Sequence, residues 1–323
     1  MIEVQGVSKR FGQTVALDEV SLGVEARSVL GFLGPNGAGK STAMKIITTF
    51  LAPDAGTVRV DGLDVSEHPL KVRRKIGYMP ENVPLYDDMR VHEYLAFVGA
   101  SRGLSGGRLA ARLEWVAEAC GLVGEYKRTI RELSKGYRQR TGLAQALIHD
   151  PEILILDEPT SGLDPRQIIE IRDLIQELGR TKTIIFSTHI LQEVEPVTER
   201  VAIINEGRIV ADGRIGELKR RAMGGSRVIV GLAEPAADAL ASLRGLAGVR
   251  SVMPLTDADA PTRFELCGDG DEALDALAAS LAREKGWALR ELRESPFSLE
   301  DTFIALVSRD AAGAAAKRGE VRA

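Results

Sequence analysis

Hydrophobic positions near the start of the chain come in short β-branched runs. Ile2–Val7, Val20–Val24 and Val29–Leu33 each read as a strand, with turn residues between them. This predicts an antiparallel edge subdomain leading into a parallel sheet. "EHPLKVRRK" (67–75) reads as a helix and "IGYM" (76–79) as the strand after it. From Val91 to about Ile130 the pattern takes the helical period, with Leu109, Leu113, Val116 and Cys120 on one face. Strand-like runs return at "ILIL" (153–156), "TIIFS" (183–187) and "RVAII" (200–204), with helical segments between. Strands alternating with helices give an α/β core with a mainly parallel sheet, and the helical block is an insertion into it.

The character changes near "RRAMGG" (220–225). Beyond it the order is strand "RVIVGL", helix "PAADALASLRGL", strand "VRSVMP", strand "TRFELC", helix "DEALDALAASLAREK", strand "ALRELRE" and helix "SLEDTFIALV". A βαββαβ order suits a small α+β domain of ferredoxin-like type. The expected organisation is one domain over 1–219 with a helical subdomain at about 88–135, an accessory domain over 226–308, and a loose tail over 309–323. No repeat at a 20–50 residue period is evident.

Composition narrows the function classes. A chain of 323 residues with 44% hydrophobic content can bury one large core and a smaller one. The formal net charge of −4 and the lack of a long basic block argue against a nucleic-acid partner. Cys120 and Cys267 are far apart and read as reduced, packed thiols, which fits a cytoplasmic protein. "MIEVQGV" enters a strand at once, without the basic and apolar regions of a secretory signal. The longest apolar runs fall well short of the ~20 residues that span a bilayer. Work at a membrane would need another chain.

The first chemical motif is "GPNGAGKS": Gly34, Pro35, Asn36, Gly37, Ala38, Gly39, Lys40 and Ser41. It follows the strand "VLGFL" and opens the helix "TAMKIIT", the context that a G-x-x-x-x-G-K-[ST] phosphate loop requires. Glycines let backbone N–H groups wrap a phosphate chain, and the helix N-terminus adds positive potential. Lys40 can reach the β- and γ-phosphates, the Ser41 hydroxyl can ligate Mg²⁺, and Thr42 is placed for the α-phosphate.

The second motif is "ILILDEP", an apolar strand that carries Asp157 and Glu158 to the C-terminal edge of the sheet. Asp157 would hold the Mg²⁺ shell and Glu158 would polarise an attacking water as general base. Ser161, Gly162, Leu163 and Asp164 form a tight turn after it. "STHILQE" puts His189 just past the strand "TIIFS", aimed at the same phosphates. His68, His92 and His149 read as structural.

Together these residues resemble the ATP-binding subunit of an ABC transporter, a P-loop NTPase, over roughly Met1 to Lys219. The resemblance implies ATP and Mg²⁺ as ligands, a head-to-tail homodimer or a pairing with a sister ATPase, and a separate membrane permease. It also implies a signature segment at a helix N-terminus. "LSGGR" (104–108) is the closer spelling, but it lies within the helical insertion with another helix after it. "LSKGYRQR" (133–140) opens a helix that leads directly into "ILILDEP", the order the family shows. The signature is therefore placed at Ser134, Lys135, Gly136 and Tyr137, with Ser134 and Gly136 facing the γ-phosphate held by the opposite subunit. Phe11 matches the family's adenine-stacking aromatic.

In "IGYMPEN" the family's usual glutamine is Glu81. The change keeps an oxygen for the metal shell, loses an N–H₂ donor and adds a charge. Two unit charges about 5 Å apart at an effective dielectric of about 20 interact by about 3 kcal/mol. Attraction to Mg²⁺ and repulsion from the γ-phosphate are thus both large and opposed. Glu81 paired with "LSKG" resembles ABC-2-type systems, most closely the gliding-motility-associated branch. A copper-maturation branch is also similar at "PEN", and drug or sodium efflux systems are further candidates. The resemblance implies export or mechanical work from the cytoplasmic face of the cell membrane. A soluble ABC ATPase acting on ribosomes or DNA is the reading from another class. It is opposed by the single phosphate loop and by an insertion too short for a long coiled coil.

Overall fold

The computed structural model describes residues 2–223, 225–255, 262–268, 273–295 and 297–308. The expected tail over 309–323 lies outside them. The chain parts into two units between Ile215 and Gly216.

The first unit begins with a long hairpin, β1 (Ile2–Phe11) and β2 (Thr14–Val24). Both strands run further toward the turn than the sequence pattern suggested. Register shifts around Val4, Val7 and Lys9 break the alternation there, so the pattern fades while the pairing continues. β3 (Val29–Leu33) then leads into α1 (Lys40–Ile47), β4 (Ala55–Val60), β5 (Leu63–Asp64), α2 (Pro69–Lys75) and β6 (Ile76–Met79). β4 and β5 escape a sequence reading because β4 buries only Val58 and Val60. They complete an antiparallel sheet in the order β2-β1-β4-β5.

The helical insertion is less continuous than its pattern. It consists of α3 (Val91–Ser101) and α4 (Gly106–Ala119), followed only by short 3-10 turns. Gly103 and Gly121 adopt φ of 85° and 64°, left-handed stops that end each helix. α5 (Lys135–Leu147) returns the chain to β7 (Ile153–Asp157), α6 (Pro165–Gly179), β8 (Thr183–Thr188), β9 (Arg200–Asn205) and β10 (Arg208–Arg214).

The six-stranded sheet has the order β10-β9-β3-β8-β7-β6, parallel except for the antiparallel edge strand β10. Its central strands are covered on both faces: Leu154, Ile155, Ile184 and Ile185 are fully buried. That explains their unbroken apolar runs. Each such side chain stabilises the fold by about 1.5–3 kcal/mol. Strands β3, β8 and β7 are neighbours, with Leu33 opposite Thr188 and Asp157 opposite Ser187. This register brings the segments after Leu33, Asp157 and Thr188 to one edge of the sheet.

α7 (Ile215–Met223) spans the division between the units. The second unit holds β11 (Arg227–Leu232), α8 (Ala239–Arg244), β12 (Val249–Pro254), β13 (Arg263–Gly268), α9 (Leu274–Glu284) and β14 (Leu289–Glu294). A last helix covers 299–308. The sheet order β12-β13-β11-β14, antiparallel throughout, is the expected ferredoxin-like topology. Its core gathers Val228, Val230, Phe264, Leu266, Leu274 and Ala278. α8 starts at Ala239, later than its alanine-rich pattern suggested.

Candidate active site

The loop from Gly34 to Gly39 wraps the N-terminus of α1. Gly39 has φ 110°, and a Cβ there would stand 2.5 Å from the Ala16 carbonyl oxygen, so only glycine fits. The helix it opens has no side-chain cap and no acid in its first turn. Its first N–H groups are therefore free donors where positive potential is greatest, an arrangement that suits an anion. Lys40 is buried, and its ammonium donates to the Gly34 carbonyl at 2.7 Å and the Pro35 carbonyl at 3.3 Å. Ser41 and Thr42 follow in the first turn, both half-buried.

Lys40 Nζ also lies 3.4 Å from Glu158 Oε1. The other oxygen, Oε2, accepts from His189 Nδ1 at 2.9 Å. Glu158 is 5% exposed, whereas the His189 side chain is 45% exposed. One carboxylate therefore joins the phosphate loop, the end of β7 and the end of β8. Glu158 has φ 51°, and its N–H donates to Ser187 Oγ at 2.9 Å. Holding a non-glycine residue in that region costs about 1–3 kcal/mol. The Ser187 hydroxyl in turn donates to Asp157 Oδ1 at 2.6 Å.

Ser41, Glu81 and Asp157 line one cleft of about 270 Å³ with Lys45, Phe50 and Tyr78. A hydroxyl and two carboxylates are hard oxygen donors, and that chemistry fits Mg²⁺, which is commonly held by a few protein oxygens together with substrate phosphates. Glu81 is exposed, and its carboxylate has no partner among the described residues. Its backbone carbonyl accepts from Gln139 Nε2 at 3.3 Å, which ties the loop to α5. The Tyr78 hydroxyl is buried without a partner among the described residues. Burial, and then the nearby charge of Asp157, pushes its pKa up.

Ser134 is the N-cap of α5, its Oγ accepting from Tyr137 N–H at 3.4 Å. Ser105 holds the equivalent place on α4, inside the helical insertion, without a side-chain cap bond. α5 leads straight to β7, although it ends at Leu147 rather than running on to Pro151. A Cβ on Gly136 would stand 2.5 Å from Gln167 Oε1, and one on Gly162 would collide with the end of the Lys135 side chain. Asp164 caps α6, accepting from Gln167 N–H at 2.9 Å. Ser134–Tyr137 and Ser161–Asp164 are thus packed together within one chain. Phe11 ends β1 with its ring half-exposed and Lys9 Nζ 5.8 Å from the ring centroid.

His92 and His149 make bonds of a structural kind, whereas His68 is exposed at the start of α2 without a side-chain cap bond. His92 Nδ1 lies 3.0 Å from the Tyr126 carbonyl oxygen and His149 Nε2 lies 3.2 Å from that of Ile76. Both cysteines are free. Burial pushes the Cys120 thiol up to about 12, while Cys267 is only half-buried and so less packed than expected. Sequence reasoning missed Ser187, Thr160, Thr188 and Glu193. The only signal was their position beside Asp157, Glu158 and His189.

A family model described as ABC transporter matches residues 17–161. The chain is 34% identical to the daunorubicin resistance ATP-binding protein DrrA3 of Streptomyces coeruleorubidus, covering 96% of each chain. It is 32% identical to Nod factor export ATP-binding protein I of Ralstonia nicotianae, covering 96% of this chain and 94% of that one. It also resembles a dimeric ATP-binding cassette, MJ0796, in a post-hydrolysis state bound to ADP and Pi. That match has a TM-score of 0.62 and 25% identity, and it covers 66% of this chain and 98% of that one. With a phosphate loop, an acid pair and a histidine gathered on one sheet edge, and with relatives matched along nearly the whole length, the chain belongs to the ATP-binding, ATP-hydrolysing subunits of ABC transporters.

Proposed function

We propose that this chain powers an ABC-2-type export permease, working as a head-to-tail pair of ATPases on the cytoplasmic face of the cell membrane. The observation that carries the reading is the single carboxylate of Glu158, held between Lys40 and His189. Relatives named for drug resistance and Nod factor export support export. In this reading the permease is a separate chain; among the described residues no helix is long and apolar enough to cross a membrane.

In this reading the N–H groups of 34–42 and Lys40 take the phosphates of ATP, and Phe11 stacks on the adenine. Ser41, Asp157 and Glu81 would hold Mg²⁺, which when bound polarises the β- and γ-phosphoryl oxygens. Glu158 accepts the proton of the attacking water, and His189 fixes the carboxylate by donating to Oε2. The phosphate loop and the α1 N-terminus stabilise the charge that develops on the phosphoryl oxygens. Ser134–Tyr137 of the opposite subunit complete the site when two chains close.

The cleft bordered by Phe50, Arg73, Tyr78 and Arg102, adjoining the Glu81 cleft at Phe50 and Tyr78, is the permease-facing surface in this account. Phe50 is 72% exposed there. A gliding-motility-associated system is the second reading, favoured by the pairing of Glu81 with "LSKG". Co-expression with the membrane protein encoded beside this chain tests the proposal. The two should co-purify in detergent, and the complex should hydrolyse ATP faster than the chain alone. A membrane protein that neither associates nor stimulates hydrolysis would contradict it.

A further inference from the structure

One buried carboxylate near the site has no role in the mechanism above. Glu193 lies in the short turn Leu191–Glu193 after β8 and is 5% exposed. Its Oε2 accepts two hydroxyls: Thr160 Oγ1 at 2.5 Å and Thr188 Oγ1 at 3.2 Å. Its Oε1 is buried without a hydrogen-bond partner among the described residues, and no cation pairs with the carboxylate there. A charged group removed from water without a counter-ion is unfavourable unless hydrogen bonds offset it. Here one bond comes from the loop after β7 and the other from the last residue of β8.

Their positions give the arrangement its meaning. Thr160 stands two residues after Glu158 and leads into the turn at Ser161–Asp164. Thr188 stands one residue before His189, and its oxygen also accepts from Ile190 N–H at 3.0 Å. A single oxygen of Glu193 therefore ties the Glu158 loop to the His189 loop, in addition to the direct Glu158–His189 bond. We propose that Glu193 is a positioning residue for ATP hydrolysis, which sets the Glu158 carboxylate and the His189 ring in register through Thr160 and Thr188. The proposal rests on the roles given above to Glu158 and His189. Misplacing a reacting group by about 1 Å can cost about 10²-fold in rate. Loosening this link should therefore lower turnover without weakening ATP binding.

The experiment uses the full-length protein with Mg²⁺ and ATP, measuring kcat, KM and ATP affinity for Glu193→Ala, Glu193→Gln, Thr160→Val and the Glu193→Ala/Thr160→Val double variant. Glu193→Ala and Thr160→Val should lower kcat by about 10–100-fold, with KM held within about threefold. Glu193→Gln should stay close to wild type, because its amide oxygen accepts both hydroxyls. The double variant should be no slower than Glu193→Ala, since Thr160 acts through its bond to Glu193. If Glu193→Ala does not fold, Thr160→Val and Glu193→Gln carry the same comparison. Wild-type kcat in Thr160→Val, loss of ATP affinity in step with kcat, or Glu193→Gln as impaired as Glu193→Ala would overturn the proposal. Glu158→Gln is measured in parallel. Normal hydrolysis in that variant means the reading of Glu158 fails, whereas an inactive Glu158→Gln beside an unaffected Thr160→Val means that this inference alone fails.

Discussion

His189 Nδ1 donates to Glu158 Oε2 at 2.9 Å, across the gap between two neighbouring strand ends. An ionised carboxylate only accepts, so this bond places the ring proton on Nδ1 and leaves Nε2 as the free nitrogen. The bond holds the carboxylate toward Lys40 rather than letting it turn away. His189→Ala should therefore lower ATP turnover by about 10²-fold. ATP affinity, followed by fluorescence of a labelled nucleotide, should change little. Unaltered steady-state hydrolysis would remove His189 from the site.

Gly162 has φ 75° and sits beneath the end of the Lys135 side chain. Alanine there meets two problems of different size. The left-handed backbone costs about 1–2 kcal/mol for an L-residue. The lysine end is flexible and swings aside cheaply. Gly162→Ala should thus lower Tm by about 2–4 °C for each kcal/mol lost. The loss should persist in a Lys135→Ala background. Recovery of Tm in that background would mean that the side-chain clash dominates.

Ser134 and Ser105 both precede helices, but only the helix of Ser134 leads into the strand bearing Asp157. Ser134→Arg should abolish hydrolysis, because in the proposed head-to-tail dimer a bulky cation would stand where the partner's γ-phosphate fits. Ser105→Arg lies on an exposed cap without a side-chain bond, and it should leave activity unchanged and shift stability by less than about 0.5 kcal/mol. Steady-state ATPase assays and thermal melts of the two variants separate the segments. The reverse pattern would move the signature to 104–108.

His149 gives the first unit a pH dependence. Burial is the main cause of its lowered pKa, about 4, followed by the positive charge of Arg102. Nε2–H donates to the Ile76 carbonyl, and Nδ1 is buried without a partner among the described residues. Protonation would put a charge on that nitrogen. The unfolded chain takes up this proton near pH 6.5, the folded chain only near pH 4. Stability from His149 is therefore full above pH 6.5 and is lost as pH falls toward 4. A His149→Phe variant should show a shallower fall in Tm between pH 7 and pH 5 than wild type. Parallel curves would show that the folded chain takes up this proton as readily as the unfolded chain, so that burial does not lower the pKa of His149.

The parts of the site read from the sequence are those where chemistry and position are contiguous. Gly34–Ser41, Asp157–Glu158 and His189 each sit at the end of an apolar run, and the strand order β3-β8-β7 makes them neighbours. Contacts between separate loops left no mark in the sequence. Thr160, Thr188 and Glu193 converge only because β7 and β8 pair in one register. The packing of Lys135 over Gly162 likewise depends on how α5 meets α6. In the fold, fully buried strands were plain, whereas β4 and β10, which bury few side chains or none, had no apolar pattern to betray them. Glu81 was legible as a departure from the family pattern. Its place in one cleft with Ser41 and Asp157 required the structure.

In the proposed mechanism Glu158 is the base that ATP hydrolysis needs, while Lys40 and the loop around it bind the nucleotide. Glu158→Gln keeps the side chain's shape and removes its ability to take a proton. The most direct measurement is ATP turnover and ATP binding by the purified Glu158→Gln protein, with its mass followed by light scattering. The expected result is retained ATP affinity, turnover lowered by about 10²–10⁴-fold and an ATP-dependent dimer that persists. Turnover at the wild-type rate in this variant would contradict it.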